Sequence, residues 1–384
     1  MRVAKHRPTS KRRKGVVKRR TISRDWLWNE LFRAYLAARK GKLGTKDEYE
    51  FEMNALDNLD ILVDDVLNRR YKPSPGVAFI IEKPVKREVF AAPFRDRIIH
   101  HFLYNMVYDW WDRRLIEGSF SCRERRGVLF GIFHLQDDMR AATRGGTRAA
   151  RYVKLDLKGY FMSLSRRALF QRVKWGLKRQ FEYGGQLYKL LRFLWHQVIF
   201  DDPVDGARKR SSEVAWLNLD FDKSLYNQPK GYGIVIGNLS SQLLSNIYLD
   251  LLDRFVTMQL GYKHYGRYVD DFCIIVPDDE YEQLKRDVYV IERFLTSIGL
   301  VLHPKKRVFG DVADGIDFLG VRVYVDRIVP ARRFTRNFFA AVRNYTNGVG
   351  DEAAVVSYLG FLKHVDGRKL AARVFASVGW EYQF

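Results

Sequence analysis

HYGRYVDDFCIIV, residues 264–276, sets Asp270 and Asp271 side by side between two runs of aromatic and β-branched residues. Neighbouring side chains on a strand point to opposite faces, so an unbroken strand would drive one of the two carboxylates into a core. An unpaired charge is costly there. A chain reversal resolves the conflict: with residues 265–269 and 272–276 as the arms of a hairpin, both carboxylates sit at its tip and face solvent or a metal. Asp is favoured in ordinary turns as well, so the pair alone decides nothing.

The 384 residues are 47% hydrophobic and 14% aromatic, enough to bury a sizeable core in two or three subdomains and too apolar for a disordered chain. With 67 Lys and Arg against 45 Asp and Glu, the net charge of +22 suits a polyanionic partner such as nucleic acid. An anionic membrane surface is the competing reading. Cys122 and Cys273 are far apart, match no metal spacing and read as buried thiols of a reducing cytoplasm. The opening MRVAKHRPTSKRRKGVVKRR is basic with no apolar segment after it, and no later apolar run approaches a membrane span. The expectation is a soluble cytoplasmic protein with no membrane partner.

No acidic residue precedes Asp25, so residues 1–24 read as a basic arm that orders on an anion. Between Lys46 and Tyr71, Leu56, Leu59, Val63, Val66 and Leu67 recur at helical spacing, and Pro73 and Pro75 follow as a stop. Residues 77–107 read as a hairpin running into a helix. Further helices are expected from near Ser240, with Leu244, Ile247, Leu251 and Phe255 on one face, and from Tyr281 through Leu284, Val288, Ile291, Leu295 and Ile298 to a cap at Gly299. Strand candidates are residues 151–157, the hairpin, and IDFLGVRVYV at 316–325. Their irregular alternation with helices, and the antiparallel hairpin, favour an α+β fold. Residues 201–230 look like a loop-rich insertion, and VVSYLGFLKHV at 355–365 suits a short helix gripping a duplex.

YVKLDLKGYFMSL, residues 152–164, holds Asp156 at the end of an apolar strand. If that strand pairs beside the hairpin, Asp156 joins Asp270 and Asp271 in a cluster that only bound cations make tolerable. Oxygen ligands with open positions suit Mg²⁺. Two such ions about 3.5–4 Å apart activate an attacking hydroxyl and stabilise a leaving pyrophosphate. A polymerase accounts for the carboxylates, the basic balance and the hairpin together.

KLDLKGYF, GIVIGNLSSQLLSNIYLD, HYGRYVDD, GLVLHPKK and DFLGV occur in the order of the palm motifs of reverse transcriptases, and REVFAAPFRDRIIHH resembles the fingers motif before them. The resemblance covers about residues 80–325. Within that family, residues 224–256 plus HYGRYVDDF look most like the enzymes of diversity-generating retroelements, which copy a template-repeat RNA into adenine-mutagenised cDNA with a small basic, oligomeric accessory protein. Val235 departs from the proline of many relatives. The resemblance implies a right-hand polymerase: a basic arm (1–24), fingers with the start of the palm (25–150), a palm of antiparallel sheet (151–330) and a short helical thumb (331–384).

It further implies Asp156, Asp270 and Asp271 as catalytic metal ligands, with Leu157 among the metal contacts, for two Mg²⁺ ions that Mn²⁺ can replace. Arg87 fits the fingers arginine that meets the incoming triphosphate, a role a planar guanidinium fills well, with Lys83 or Lys86 assisting. Tyr268, Gly237 and Gln242 join the nucleotide site. Lys306 fits the lysine that protonates departing pyrophosphate; Lys305 competes, and so does a solvated lysine at a helix end. The implied partners are template RNA, the cDNA/RNA duplex, dNTPs and the accessory protein.

Two positions carry arguments of their own. An aromatic ring at Phe161 beneath the incoming sugar leaves no room for a 2′-hydroxyl and argues for DNA synthesis, against plain core packing. Ile236 stands where template-faithful relatives carry a glutamine, and cannot donate or accept a hydrogen bond there; the bland alternative is packing against Leu239. Other bacterial reverse transcriptases, of retron, abortive-infection or group II intron type, are the nearest competing reading, and a non-catalytic RNA-binding scaffold is the more distant one.

Overall fold

The computed structural model describes residues 22–40, 45–82 and 85–381, so most of the basic arm lies outside the described residues. Strands in chain order are β1 (Val77–Ile81), β2 (Arg87–Ala91), β3 (Ala150–Leu157), β4 (Arg208–Lys209), β5 (His264–Tyr268), β6 (Asp271–Pro277), β7 (Leu302–Asp311), β8 (Ile316–Phe318), β9 (Val321–Val323) and β10 (Ile328–Pro330). The chain divides into two compact units, each discontinuous: residues 1–111 with 165–243, and 112–164 with 244–384.

In the first unit the helix Arg24–Arg39 starts one residue inside the expected arm, because the Ser23 side chain caps it by accepting from the Trp26 amide at 3.1 Å. Leu27, Leu31, Ala34, Tyr35 and Ala38 form its buried stripe. The single helix expected between Lys46 and Tyr71 is two, Lys46–Glu52 and Ala55–Leu67, broken where Asn54 takes φ −135°. The stripe shifts accordingly. Leu59, Leu62, Val63 and Val66 are buried, whereas Leu56 is 62% exposed. β1 and β2 form the expected antiparallel hairpin, and the helix Phe94–Asp112 follows it. The 201–230 segment is loop-rich as expected, but β4 within it joins β1 in parallel. Buried Glu88 on β2 anchors the same segment, accepting from Ser224 Oγ at 2.6 Å and the Leu225 amide at 2.8 Å. The helices Arg166–Gln180 and Gln186–Phe200 pack against each other.

The second unit is built on a four-stranded antiparallel sheet in the order β5-β6-β3-β7. Strand alternation places Val153, Leu155 and Leu157 of β3 in the core. The helix Tyr281–Ser297 buries Leu284, Val288, Ile291 and Leu295, and Gly299 follows it with φ +79°, a left-handed conformation that a side chain would resist. The helix near Ser240 is Leu239–Arg254, and its part in this unit is buried on nearly every side; the expected Leu251 and Phe255 are only half-buried. The expected strand at 316–325 is a hairpin instead, with Leu319 (φ +49°) and Gly320 (φ +92°) reversing the chain between β8 and β9. Three helices, Arg332–Thr346, Glu352–Leu362 and Arg368–Ala376, close the unit around a small core of Phe338, Val342, Leu362 and Val374. Cys273 is buried as expected, but Cys122 is exposed. No helix among the described residues is long and apolar enough to cross a membrane.

Candidate active site

Tyr268 pairs with Asp271 across β5 and β6, so the reversal is a two-residue turn at 269 and 270, one residue earlier than the expected tip at Asp270 and Asp271, and Asp271 stands on β6. Val269 carries that turn with φ +57°, a conformation that costs a β-branched residue on the order of 1–3 kcal/mol and persists only where the surroundings impose it. Its amide donates to Ser121 Oγ at 3.1 Å, and its carbonyl accepts from Arg267 Nη1 at 3.0 Å. Arg267 is itself fully buried, bidentate to Asp253 at 2.6 and 2.7 Å, with Tyr265 Oη also donating to that carboxylate at 2.7 Å. Arg267 thus ties the turn to the helix that carries Asp253.

The turn presents its carboxylates to β3. Asp271 is the register partner of Asp156, and the Leu157 amide donates to the Asp270 carbonyl oxygen at 3.1 Å. Burial and then the charge of Asp156 push the Asp270 carboxyl up to about 6. Burial also raises Asp271, opposed by Lys154, whose Nζ lies 3.1 Å from Oδ2; the Asp271 Oδ1 is buried with no hydrogen-bond partner. Lys306 Nζ donates to both oxygens of Asp156 at 3.0 and 2.9 Å. Lys306 stands in mid-strand on β7, not at a helix end, and the alternation of side chains gives this contact to Lys306 rather than Lys305.

Among the described residues no group of three or more His, Cys, Asp or Glu is arranged to hold a metal ion. The donor chemistry nonetheless fits a hard cation. An orphaned carboxylate oxygen, a carboxyl whose charge its neighbours oppose, and two lysines drawn onto the other carboxylates all mark a place that demands positive charge. The Leu157 side chain is buried and apolar, which leaves its backbone carbonyl as the atom with ligand chemistry.

Phe161 lies in the short helix Tyr160–Ser163, half-buried, its ring edge-on to Tyr160 at 5.2 Å and outside the buried core. Tyr268 is half-buried beside the cluster of Phe120 and Cys273. The structure therefore gathers Asp156, Leu157, Asp270, Asp271 and Lys306 at one sheet end, with Tyr268 flanking the turn.

Arg87, Ile236, Gly237 and Gln242 belong to the first unit. Arg87 opens β2, is exposed and has no acidic partner among the described residues. On the same strand the Phe90 amide donates to the Ile236 carbonyl at 3.0 Å. Gly237 (φ +131°) passes so close that a Cβ would lie 2.7 Å from the Phe90 oxygen, so glycine is required twice over. The Ile236 side chain is half-exposed and Gln242 exposed. Lys83 lies outside the described residues. Sequence reasoning missed Lys154, although its place two residues before Asp156 on one strand face was a usable signal. It also missed Arg267 and Asp253, whose pairing across 14 residues had none.

No match was found among curated proteins. Among solved structures, the chain is similar to telomerase from Candida tropicalis in complex with a TWJ fragment of telomeric RNA, at 11% identity, over 81% of this chain and 56% of that one, with a TM-score of 0.48. An apo telomerase from Candida tropicalis truncated from its C-terminal domain gives 13% identity, 67% and 56% coverage and a TM-score of 0.47. Telomerase from Candida albicans with the TWJ fragment gives 14%, 81% and 57%, and 0.44. The chain thus spans little more than half the length of these telomerases. The reverse transcriptase (RNA-dependent DNA polymerase) family matches residues 87–323, well over half of the chain and all three converging aspartates, and the chain belongs to that family.

Proposed function

We propose that the protein is an RNA-directed DNA polymerase that copies a template-repeat RNA into error-prone, adenine-mutagenised cDNA, as the enzymes of diversity-generating retroelements do. What carries the polymerase reading is the meeting of Asp156, Asp270 and Asp271 at one end of an antiparallel sheet, with Asp271 Oδ1 unpartnered. Residues 224–256 and the isoleucine at 236 support the mutagenic part.

Asp156, Asp270, Asp271 and the Leu157 carbonyl would hold two Mg²⁺ ions, Mn²⁺ serving as a substitute. When bound, the ions supply Lewis acidity for the primer hydroxyl and charge stabilisation for the pyrophosphate. The remaining work falls to the chain. Arg87 binds the triphosphate through its planar fork. Phe161 excludes a 2′-hydroxyl by bulk. Lys306, which donates to Asp156 in this structure, would give a proton to the departing pyrophosphate. Tyr268, Gly237, Gln242 and Ile236 shape the nucleotide site, with Lys83 assisting Arg87.

In this reading residues 25–150 act as fingers with the start of the palm, 151–330 as palm and 331–384 as thumb, while the basic arm and a small basic accessory protein hold the RNA. The setting is cytoplasmic. The test is primer extension on homopolymer RNA with and without divalent ions, beside Asp270→Ala as control. Metal-dependent extension lost in the variant is the expected result; extension by the variant would overturn it.

A further inference from the structure

We propose that the helical hairpin of Arg166–Gln180 and Gln186–Phe200 is a second nucleic-acid surface, which grips the phosphate backbone of RNA outside the segment being copied. Residues 166–200 carry eight Lys and Arg and a single acid, Glu182. Charge alone is common in a chain of +22; what marks this hairpin is that six of its eight cations have no acidic partner among the described residues. Elsewhere in the first unit several cations face carboxylates, as Arg24 does Asp60 and Asp64 and Arg95 does Asp65, although Arg87 does not. Among the described residues, none of Arg167, Lys174, Lys178, Arg179, Lys189 and Arg192 has an acidic partner, and all but half-buried Lys174 are exposed.

Several are held by rings instead. Arg179 lies over Trp175 at 4.5 Å, Lys178 over Tyr183 at 4.8 Å and Lys174 over Phe170 at 5.4 Å. Cation–π contact fixes the stems while leaving the charge free for an anion. The helix Arg166–Gln180 turns Leu169, Phe170, Val173, Gly176 and Leu177 inward, so Arg167, Lys174 and Lys178 fall on its outward side at spacings of seven and four. Lys189 and Arg192 repeat the pattern on the second helix, next to exposed His196. Tyr183, 69% exposed in the connection, offers a ring for an unpaired base. The acids nearest in sequence, Asp201 and Asp202, follow the far end of the second helix, where Arg166 donates to the Asp201 carbonyl oxygen at 2.7 Å and lies 3.9 Å from the Asp202 carboxylate.

A second observation points the same way. The Ile22 amide donates to Gln186 Oε1 at 2.8 Å, so the basic arm, with ten Lys and Arg in residues 1–21, joins the fold at the turn of this hairpin. Interleaved cations and rings fit an RNA strand better than an acidic protein, which would need apolar contact area. The inference rests on the polymerase reading only in taking RNA as the polyanion at hand.

The experiment uses the full chain with Arg167→Gln, Lys174→Gln, Lys178→Gln and Lys189→Gln combined, and each half of that set as a pair. Binding of a stem-loop transcript is followed over stepped salt. The log-log slope should fall by about 3 for the quadruple variant, at roughly 0.7 to 0.9 per lost phosphate contact, and by about half that for each pair. Affinity should drop more than tenfold, while extension of a short primer–template stays at the wild-type rate. Tyr183→Ala should weaken single-stranded RNA several-fold and duplex RNA little. An unchanged slope and affinity, or a loss confined to a protein partner, would overturn the proposal. Failure of the wild type to extend any primer would sink the polymerase reading and leave this one standing.

Discussion

Arg267 Nη1 donates to the carbonyl oxygen of Val269 at 3.0 Å, so a fully buried guanidinium holds the backbone of the turn that presents Asp270 and Asp271. Its other nitrogens are spent on Asp253 and on Ser119 Oγ. The left-handed Val269 is thereby over-determined, pinned at its amide by Ser121 and at its carbonyl by Arg267. A turn so fixed can keep two carboxylates in register with Asp156 against their mutual repulsion.

Arg267→Met should cost about 3–5 kcal/mol, because it strands Asp253 as an unpaired buried charge. Arg267→Met with Asp253→Leu should recover most of that stability while single-turnover extension stays depressed, since the Val269 carbonyl is still released. Urea midpoints and extension rates separate the two effects. A double variant that regains both would show that Arg267 serves packing alone.

Lys306→Ala should change stability by less than about 1 kcal/mol, since the Lys306 side chain is 56% exposed. The extension rate should nevertheless fall by about 10²–10⁴, with the apparent KM for dNTP little altered. Lys305→Ala is the control and should be near wild type. Equal losses in both variants would remove Lys306 from proton transfer.

His100 is buried, with Nδ1 2.7 Å from Ser240 Oγ, and burial first, then the charges of His101 and Arg97, lower it from 6.5 to about 4. Above pH 6.5 both folded and unfolded chains hold it neutral. As pH falls towards 4 the unfolded chain takes up a proton that the folded one refuses, so stability drains away across that window. Between pH 7 and 4.5 the loss from this group should be on the order of 2 kcal/mol. His100→Asn should lose correspondingly less over the same interval. Parallel urea midpoints for the two proteins would reject the assignment.

The three clustered carboxylates were legible because their logic is local: a chain reversal between two apolar runs keeps Asp270 and Asp271 from both entering a core, and Asp156 lies next to the end of a strand of the same kind. The reversal falls one residue earlier than expected, so Asp271 opens β6. Leu284 to Leu295 were legible for the same reason, as one face of a helix. Contacts distant in sequence were not. Nothing near Arg267 marks Asp253 as its buried partner, and no composition shift shows that residues 165–243 pack with the N-terminal helices. Breaks without proline also escaped, at Asn54 between two helices and at Leu319 and Gly320 between two strands. In each, one backbone conformation outweighs a periodic pattern that continues across it.

Ile236 is fixed by its backbone, through the Phe90 amide and the constrained Gly237 beside it, while its side chain remains half-exposed. On the proposed reading, the property of the isoleucine that matters is its inability to hydrogen-bond. One lost hydrogen bond is worth about 1 kcal/mol, roughly five-fold in selectivity. Ile236→Gln should thus lower errors opposite template adenine several-fold, with other errors and the overall rate little changed. Severe adenine-specific error in the wild type would then need further help from the RNA or a partner. Gly237→Ala should instead abolish extension, because its Cβ would meet the Phe90 oxygen and shift the loop as a whole. Sequencing cDNA made on one RNA by wild type and Ile236→Gln checks the first expectation; identical spectra would leave Ile236 no part in fidelity.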